Sequence, residues 1–314
     1  MEPLVSVICV SRNHERFCIE ALDSVLNQTY KNIEWIILDA ASTDTTPCII
    51  DDWLKENQVD AIFLKEKELK PITVNLNKAL TFAQGEFVQF LSLDDVLVKS
   101  KIELQLKKFE SLGDNYVATY SDMKIIDENG YILDESYIRK RIDVNNISDN
   151  VYFELLKHNF LPATGLFFKI EYIRKIDCFD ERLFYEDYDM NLRLARIGLF
   201  LYIDIPLVLY RKHNNNLTIC WQQRNLDVVW SDALMFYKQL NLKGFSKNER
   251  NILKQNFIKQ YSTLVRRKDN RSNYFFVWII LNLRPRHKLV ALIIKIFKFR
   301  YYSLNSYCKN TLHS

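Results

Sequence analysis

Four short apolar runs, spaced about 25–30 residues apart and separated by helix-patterned stretches, constrain this chain more than any other feature. They are Val5–Val10, Ile33–Leu38, Ala61–Leu64 and Phe87–Leu91. Each has the length and the β-branched or aromatic content of a buried strand. Between the first two, Ile19, Leu22, Val25 and Leu26 recur at helical spacing over Glu15–Gln28, with Ser11 or Asn13 as the expected cap. Ser42-Thr43-Asp44 reads as a turn and cap for a second helix reaching about Asn57. Asn75–Ala83 reads as a third helix, ended by Gly85. Such alternation predicts an α/β fold with a doubly wound, mostly parallel sheet.

Beyond residue 115 the pattern changes. Tyr116–Tyr120 and Met123–Ile126 are strand-like, Phe167-Phe168 suits a strand, and Glu186–Ile197 has helical periodicity. Leu199–Leu209 alternates as edge strands would. Asn214-Asn215-Asn216 then marks a boundary, giving an expected α/β domain over 1–216 and a helical, basic extension over 217–314.

Net charge is +4, but it is unevenly placed. From Arg266 onward there are eleven Lys or Arg and one acid, Asp269, so the preceding body is mildly acidic. A basic segment of this kind seeks phosphates. With 48% hydrophobic and 26% charged residues, the chain is neither disordered nor a small disulfide scaffold. None of the six cysteines forms a CxxC pair, so they are expected to be reduced, in the cytosol, without a zinc site. The N-terminal MEPLVSVICV reads as a strand, not a signal peptide.

In an open α/β sheet, ligands bind beyond the carboxyl ends of the strands. Ser11-Arg12-Asn13, Asp39 and Ser92-Leu93-Asp94-Asp95 all fall there. No GxGxxG and no GxxxxGK[ST] occurs, which argues against a dinucleotide fold and a P-loop. Phosphates would then need another counter-charge, such as a divalent cation held by the carboxylates after the fourth strand. A plain strand-end turn is the competing account of Asp94-Asp95. Glu186-Asp187-Tyr188-Asp189 opens a helix, where acids either complement the helix dipole or supply a base. His213 is a candidate metal or phosphate ligand.

These clusters, in this order, resemble the family 2 glycosyltransferases of the GT-A fold, over roughly residues 3–218. The matching segments are VSVICVSRNHERFCIEALDSVLNQTYKNIEWIILDAASTDTT, ALTFAQGEFVQFLSLDD, CFDERLFYEDYDMNLRLARIG and LVLYRKHNNNLT. The resemblance implies an inverting transfer of a sugar from a nucleoside-diphosphate sugar, with UDP expected, to a saccharide or lipid-linked acceptor in cell-surface polysaccharide synthesis. By position it makes Asp187 the catalytic base and Glu186 an acceptor-orienting neighbour. Asp39 would contact the nucleotide base, with Ser11, Arg12 and Asn13 bordering it. Asp94 would bind Mn²⁺ or Mg²⁺, His213 would help hold the metal, and Ser92 and Asp95 would flank the donor. Ser92 stands where the family usually has the first acid of its DxD motif, and Ala41 stands where it often has Gly.

The tail over 274–301 mixes apolar runs with Lys and Arg, and no stretch is long enough to span a bilayer. It is expected to lie against an anionic membrane surface, placing the protein at the inner face of the cytoplasmic membrane. An ordinary helical cap is the competing account. Nucleic acid is not an expected partner, because the tail lacks a recognised module. Two rival functions are a catalytically silent sugar-nucleotide or partner binder, favoured by Ser92, and a nucleotidyltransferase, disfavoured by the absence of a basic, glycine-containing loop.

Overall fold

The computed structural model describes residues 2–214, 216 and 225–275. The chain divides into two compact units, Met1–Cys220 and Trp221–Ser314.

The first unit is built on a nine-stranded sheet. Its strands are β1 (Val5–Ser11), β2 (Ile33–Asp39), β3 (Ala61–Lys65), β4 (Phe87–Ser92), β5 (Val96–Leu97), β6 (Tyr116–Ile126), β7 (Ile132–Asp134), β8 (Leu166–Lys169) and β9 (Leu199–Arg211). Their order is β3-β2-β1-β4-β8-β6-β9-β5, with β7 beside β6. The pairs β1/β2, β2/β3, β1/β4 and β6/β9 are parallel. Only β8, β5 and β7 run against the common direction. Val5, Val7, Ile8 and Cys9 are all fully buried, so side chains on both faces of β1 are covered.

Helices α1 (Cys18–Leu26), α2 (Thr46–Glu56), α3 (Ile72–Leu80) and α4 (Lys101–Glu110) fill the early connections. Cys18, Ala21, Leu22 and Val25 form one buried stripe of α1, which is why it packs as an amphipathic helix. Trp53 of α2 donates from Nε1 to Asp23 of α1 at 2.8 Å. Later come α5 (Tyr152–Lys157), α6 (Ile170–Lys175) and α7 (Asp187–Ala195).

Several expectations shift. Neither Ser11 nor Asn13 caps α1, which begins after Phe17 with no side-chain cap. Both residues instead tie to the loop after β2. Helix α3 begins at Ile72, directly after Pro71, whose fixed φ suits a helix entry. The two strand-like segments at 116–126 are one strand, continuous through irregular register at Ser121–Met123. Buried Asp122 sits at that irregularity and accepts from the main-chain N–H of Tyr137 and Ile138. Leu199–Arg211 is one strand rather than edge strands, flanked by β6 and, at Val208-Leu209, by β5. Pro206 faces the same irregularity, where a missing N–H is tolerated.

The second unit contains α8 (Asn225–Leu240) and α9 (Lys247–Arg266), followed by a short 3₁₀ turn over Asn270–Phe275. Ser246 and Glu249 cap α9 reciprocally. Phe257 and Phe275 are buried, and with Tyr237 and Trp230 they form an aromatic cluster. Among the described residues no helix is long and apolar enough to cross a membrane. The basic segment expected to meet a membrane lies, beyond Phe275, outside the described residues.

Candidate active site

Register brings the polar strand ends together. Ser11 stands opposite Asp39 in β1/β2, and Val10 opposite Ser92 in β1/β4. The carboxyl ends of these parallel strands therefore form one rim.

At that rim Asp39 is buried and fully engaged. Its Oδ1 accepts from Ser11 Oγ at 2.9 Å and Ser42 Oγ at 2.5 Å, and its Oδ2 accepts from the Ser42 N–H at 2.9 Å. Asn13, at φ +56°, accepts on Oδ1 from the Thr43 N–H at 2.7 Å, while its own N–H donates to Ser42 Oγ at 2.9 Å. The two loops are thus laced into one platform. Arg12 is exposed upon it. Ala41 holds a left-handed φ of +57°, a conformation in which glycine is unstrained.

Asp94 is buried beyond β4. Its Oδ2 lies 3.0 Å from His213 Nε2 and 3.7 Å from His14 Nε2, and it accepts from Asn216 Nδ2 at 3.1 Å. Burial pushes its pKa up, but the His213 hydrogen bond, the His14 charge and the Ser92 hydroxyl outweigh it and hold the group at about 2. Ser92, in the place of a usual acid, sets a neutral hydroxyl and not a second negative charge beside Asp94, which favours the ionised form. Burial also lowers the His14 pKa, against the upward pull of the Asp94 charge.

His213 is 119 residues from Asp94 and meets it because of β5. That two-residue strand follows the Asp94-Asp95 turn directly and pairs with the end of β9. Asn216 closes the return, accepting from the His213 N–H at 2.6 Å and donating to the Arg211 carbonyl at 3.1 Å. Phe17 packs against His213, with ring centroids 4.8 Å apart, and carries the Arg211 guanidinium 4.9 Å from its own centroid.

Asp95 was expected beside the donor, yet both its oxygens are used internally. Oδ1 accepts from the Arg211 N–H at 3.0 Å and Oδ2 from Thr164 Oγ1 at 2.8 Å. Burial and the neighbouring Asp94 charge raise its pKa well above the usual carboxylate range. It braces the turn that presents Asp94. Ser11, likewise fully buried, serves Asp39.

The second acidic cluster opens α7. Asp187 Oδ2 accepts from Asn159 Nδ2 at 2.8 Å, and Oδ1 from the Tyr188 N–H at 2.7 Å. Partial burial raises the Asp187 pKa, against the pull of both donors. Glu186 rises to about 8, through burial first and the Asp187 charge second. Burial raises both groups, but Asp187 alone keeps side-chain and main-chain donors from Asn159 and Tyr188 that favour its charged form, while Glu186 holds its proton at neutral pH. Asp189, in contrast, is buried and paired with Arg193 at 2.7 Å. The segment 159–164 serves both clusters, since Asn159 holds Asp187 and Thr164 holds Asp95.

His14, Asn216, Arg211, Thr164 and Asn159 were not among the nominated site residues. Only Arg211 had a visible signal, as the first residue of the Arg-x-His segment; the rest converge through tertiary register.

Comparison with known proteins identifies the family and the fold. The family model described as Glycosyl transferase family 2 matches residues 6–174. An uncharacterized glycosyltransferase of Rickettsia prowazekii is 29% identical over 318 residues, spanning 95% of this chain and 96% of that protein. Staphylococcus aureus TarS 1–349, solved in complex with UDP-GlcNAc, superposes with a TM-score of 0.63 at 18% identity, covering 91% of this chain and 77% of its own. The mannosyltransferase PcManGT of Pyrobaculum calidifontis, solved with GDP-Man and Mn²⁺, gives 0.60 at 17% identity, covering 95% and 81%. The mixed sheet is thus that of the GT-A glycosyltransferases, as the resemblance implied.

Proposed function

The chain belongs to glycosyl transferase family 2, and from that premise we propose that it is an inverting glycosyltransferase using a nucleoside-diphosphate sugar. The convergence of His213, His14 and Asn216 on a charged Asp94 at the end of β4 carries this reading. A carboxylate with imidazole neighbours suits a divalent cation, either Mn²⁺ or Mg²⁺. When bound there, such an ion supplies Lewis-acid neutralisation of the departing diphosphate.

The chain's own residues do the rest. Asp39, fixed by Ser11 and Ser42, faces the nucleotide base together with Arg12 and Asn13. Asp187 takes the proton from the acceptor hydroxyl as its oxygen bonds to the anomeric carbon. The bond from that carbon to the diphosphate breaks, and the nucleoside diphosphate leaves with the electron pair. One displacement inverts the centre. General-base assistance of this kind is worth on the order of 10²–10⁴ in rate. Glu186, protonated at neutral pH, donates a hydrogen bond to the acceptor.

UDP is the proposed nucleotide, supported by the TarS complex with UDP-GlcNAc; PcManGT, bound to GDP-Man, makes GDP the main competitor. The proposed acceptor is a saccharide or lipid-linked saccharide at a membrane surface, in cell-surface polysaccharide synthesis. The silent-binder alternative drew on Ser92; the approach of His213 and His14 to the Asp94 carboxylate counts against it.

A thermal-shift panel of UDP-, GDP-, dTDP- and CMP-sugars, with and without Mn²⁺, tests the reading. One nucleotide should raise Tm only with the cation, and Asp94→Ala should abolish the shift. Release of free nucleoside diphosphate by the wild type, and its loss in Asp187→Asn, should follow. Full turnover by Asp187→Asn would refute the base assignment.

A further inference from the structure

A second imidazole faces the Asp94 carboxylate, and the reaction proposed above gives it no role of its own. His14 follows the β1 loop and meets His213 edge to face, with ring centroids 6.2 Å apart. It is only 8% exposed. Nε2 lies 3.7 Å from Asp94 Oδ2, and Nδ1 is buried with no hydrogen-bond partner among the described residues. A buried ring nitrogen left unmet is uncommon in a folded protein and calls for an explanation.

The ring's backbone is fixed. The His14 N–H donates to Thr46 Oγ1 at 2.8 Å, and its carbonyl accepts from the N–H groups of Phe17 and Cys18, both at 2.9 Å. The ligand atoms of His14, Asp94 and His213 all lie within 4.8 Å of one another, and all three residues are buried. Three distant chain segments thus deliver two imidazoles and one carboxylate to a single point. A cation there would engage a ring nitrogen of each histidine and still leave positions open for phosphate oxygens.

We propose that His14 is a third protein ligand of the cation held by Asp94 and His213, and that the resulting two-histidine, one-carboxylate centre selects Mn²⁺ and later first-row ions over Mg²⁺. Imidazole suits those ions, whereas Mg²⁺ favours oxygen ligands and gives up its waters reluctantly. The inference rests on the reading that Asp94 binds a divalent cation.

The test uses the full chain titrated with MnCl₂, alone and with pyrophosphate. Loss of the free Mn²⁺ signal in electron paramagnetic resonance gives affinity, and nitrogen modulation in pulsed spectra counts coordinated imidazoles. Competition with MgCl₂ gives selectivity. The wild type should show two nitrogens. His14→Gln should show one, bind Mn²⁺ at least about tenfold more weakly, and lose preference over Mg²⁺. His14→Asn provides a second variant, and unchanged melting of the metal-free proteins verifies folding. The ligand assignment is overturned if the wild type binds, Asp94→Asn does not, and both His14 variants keep wild-type affinity and nitrogen count. If the wild type takes up no Mn²⁺ in either condition, the cation reading at Asp94 falls, and this inference with it.

Discussion

Arg211 donates from its Nε to the main-chain oxygen of Asp94 at 3.0 Å. The same guanidinium reaches the carbonyls of Asp127 and Glu128 and the carboxylate of Glu20. One buried side chain therefore ties the β4 turn, the turn after β6 and helix α1 together, two residues before His213. The arrangement makes the placement of Asp94 against His213 a product of long-range packing, not of the local Ser-Leu-Asp-Asp sequence.

Replacing that hub should be costly. Arg211→Leu takes this donor from the Asp94 and Glu128 carbonyls, leaves the Asp127 carbonyl with only the Gly130 N–H, and removes a charge-assisted bond to Glu20. The expected loss is about 3 kcal/mol. In a unit of this size that lowers Tm by roughly 6–12 °C. Denaturant unfolding of both proteins measures it directly. An unchanged midpoint would mean that the hub contributes no stability.

Asn159 offers a test of Asp187 that does not remove the proposed base. Its Nδ2 donor favours the charged form of Asp187. Asn159→Ala withdraws that donor, so the Asp187 pKa should rise further. The unprotonated base is then present only at higher pH, and the acid limb of the kcat profile should move to higher pH. Activity at a pH well above the limb should recover toward wild type. A uniform loss of rate with no shift of the limb would mean that Asn159 acts elsewhere.

Glu186 links the site to stability. Its folded pKa is about 8, raised above the ordinary 4.5 by burial and by Asp187. The folded state therefore holds a proton that the unfolded chain releases earlier. The stabilisation from that proton is complete below about 4.5 and is lost as pH climbs toward 8. Glu186→Gln cannot ionise and should lack this decline. Unfolding free energies at pH 5 and pH 8 should show the variant gaining on the wild type as pH rises. Parallel curves would place the Glu186 proton elsewhere.

What was readable in the sequence was the part set by local pattern. Strands β1–β4 were legible to within a residue because each is a short apolar run with an abrupt polar end, although β3, at the sheet edge, is only partly buried and Ile62 is exposed. Asp94 and His213 stood out only through the family resemblance, since spacing alone left a strand-end turn as an equal account of Asp94-Asp95. Strand β6 was not legible as one strand, because Asp122 looks like a break; bonds from Met123, Ser136, Tyr137 and Ile138 satisfy its carboxylate and let the strand run through it. His14, Asn216 and Asn159 were invisible for the same reason. Each acquires its role from a partner 28 to 122 residues away, delivered by the β5/β9 pairing or by a loop. The inward use of Asp95 was hidden as well, since its partner Thr164 lies 69 residues on.

Gly165 gives the last test, because it lies behind the Thr164–Asp95 bond. A Cβ there would sit 2.7 Å from the Ser121 carbonyl oxygen and 2.7 Å from Pro162 Cγ. A main-chain oxygen cannot swing aside as a flexible side chain can. The Gly165 carbonyl is also fixed, accepting from Gln105 Nε2 at 3.1 Å. Gly165→Ala should therefore displace the whole 163–165 turn, lengthen the Thr164–Asp95 bond and cost about 1–3 kcal/mol. Gly113→Ala is the matched control. Its Cβ would meet only the Asn115 side-chain oxygen at 3.2 Å, and that group can rotate away. Reduced unfolded-state entropy then favours the alanine by about 0.4–1 kcal/mol. The two substitutions are chemically identical, so opposite signs in denaturant unfolding isolate the close approach at Gly165. A turn free to move would make Gly165→Ala as mild as Gly113→Ala, and Asp95 would then lack the rigid brace that holds Asp94 toward His213.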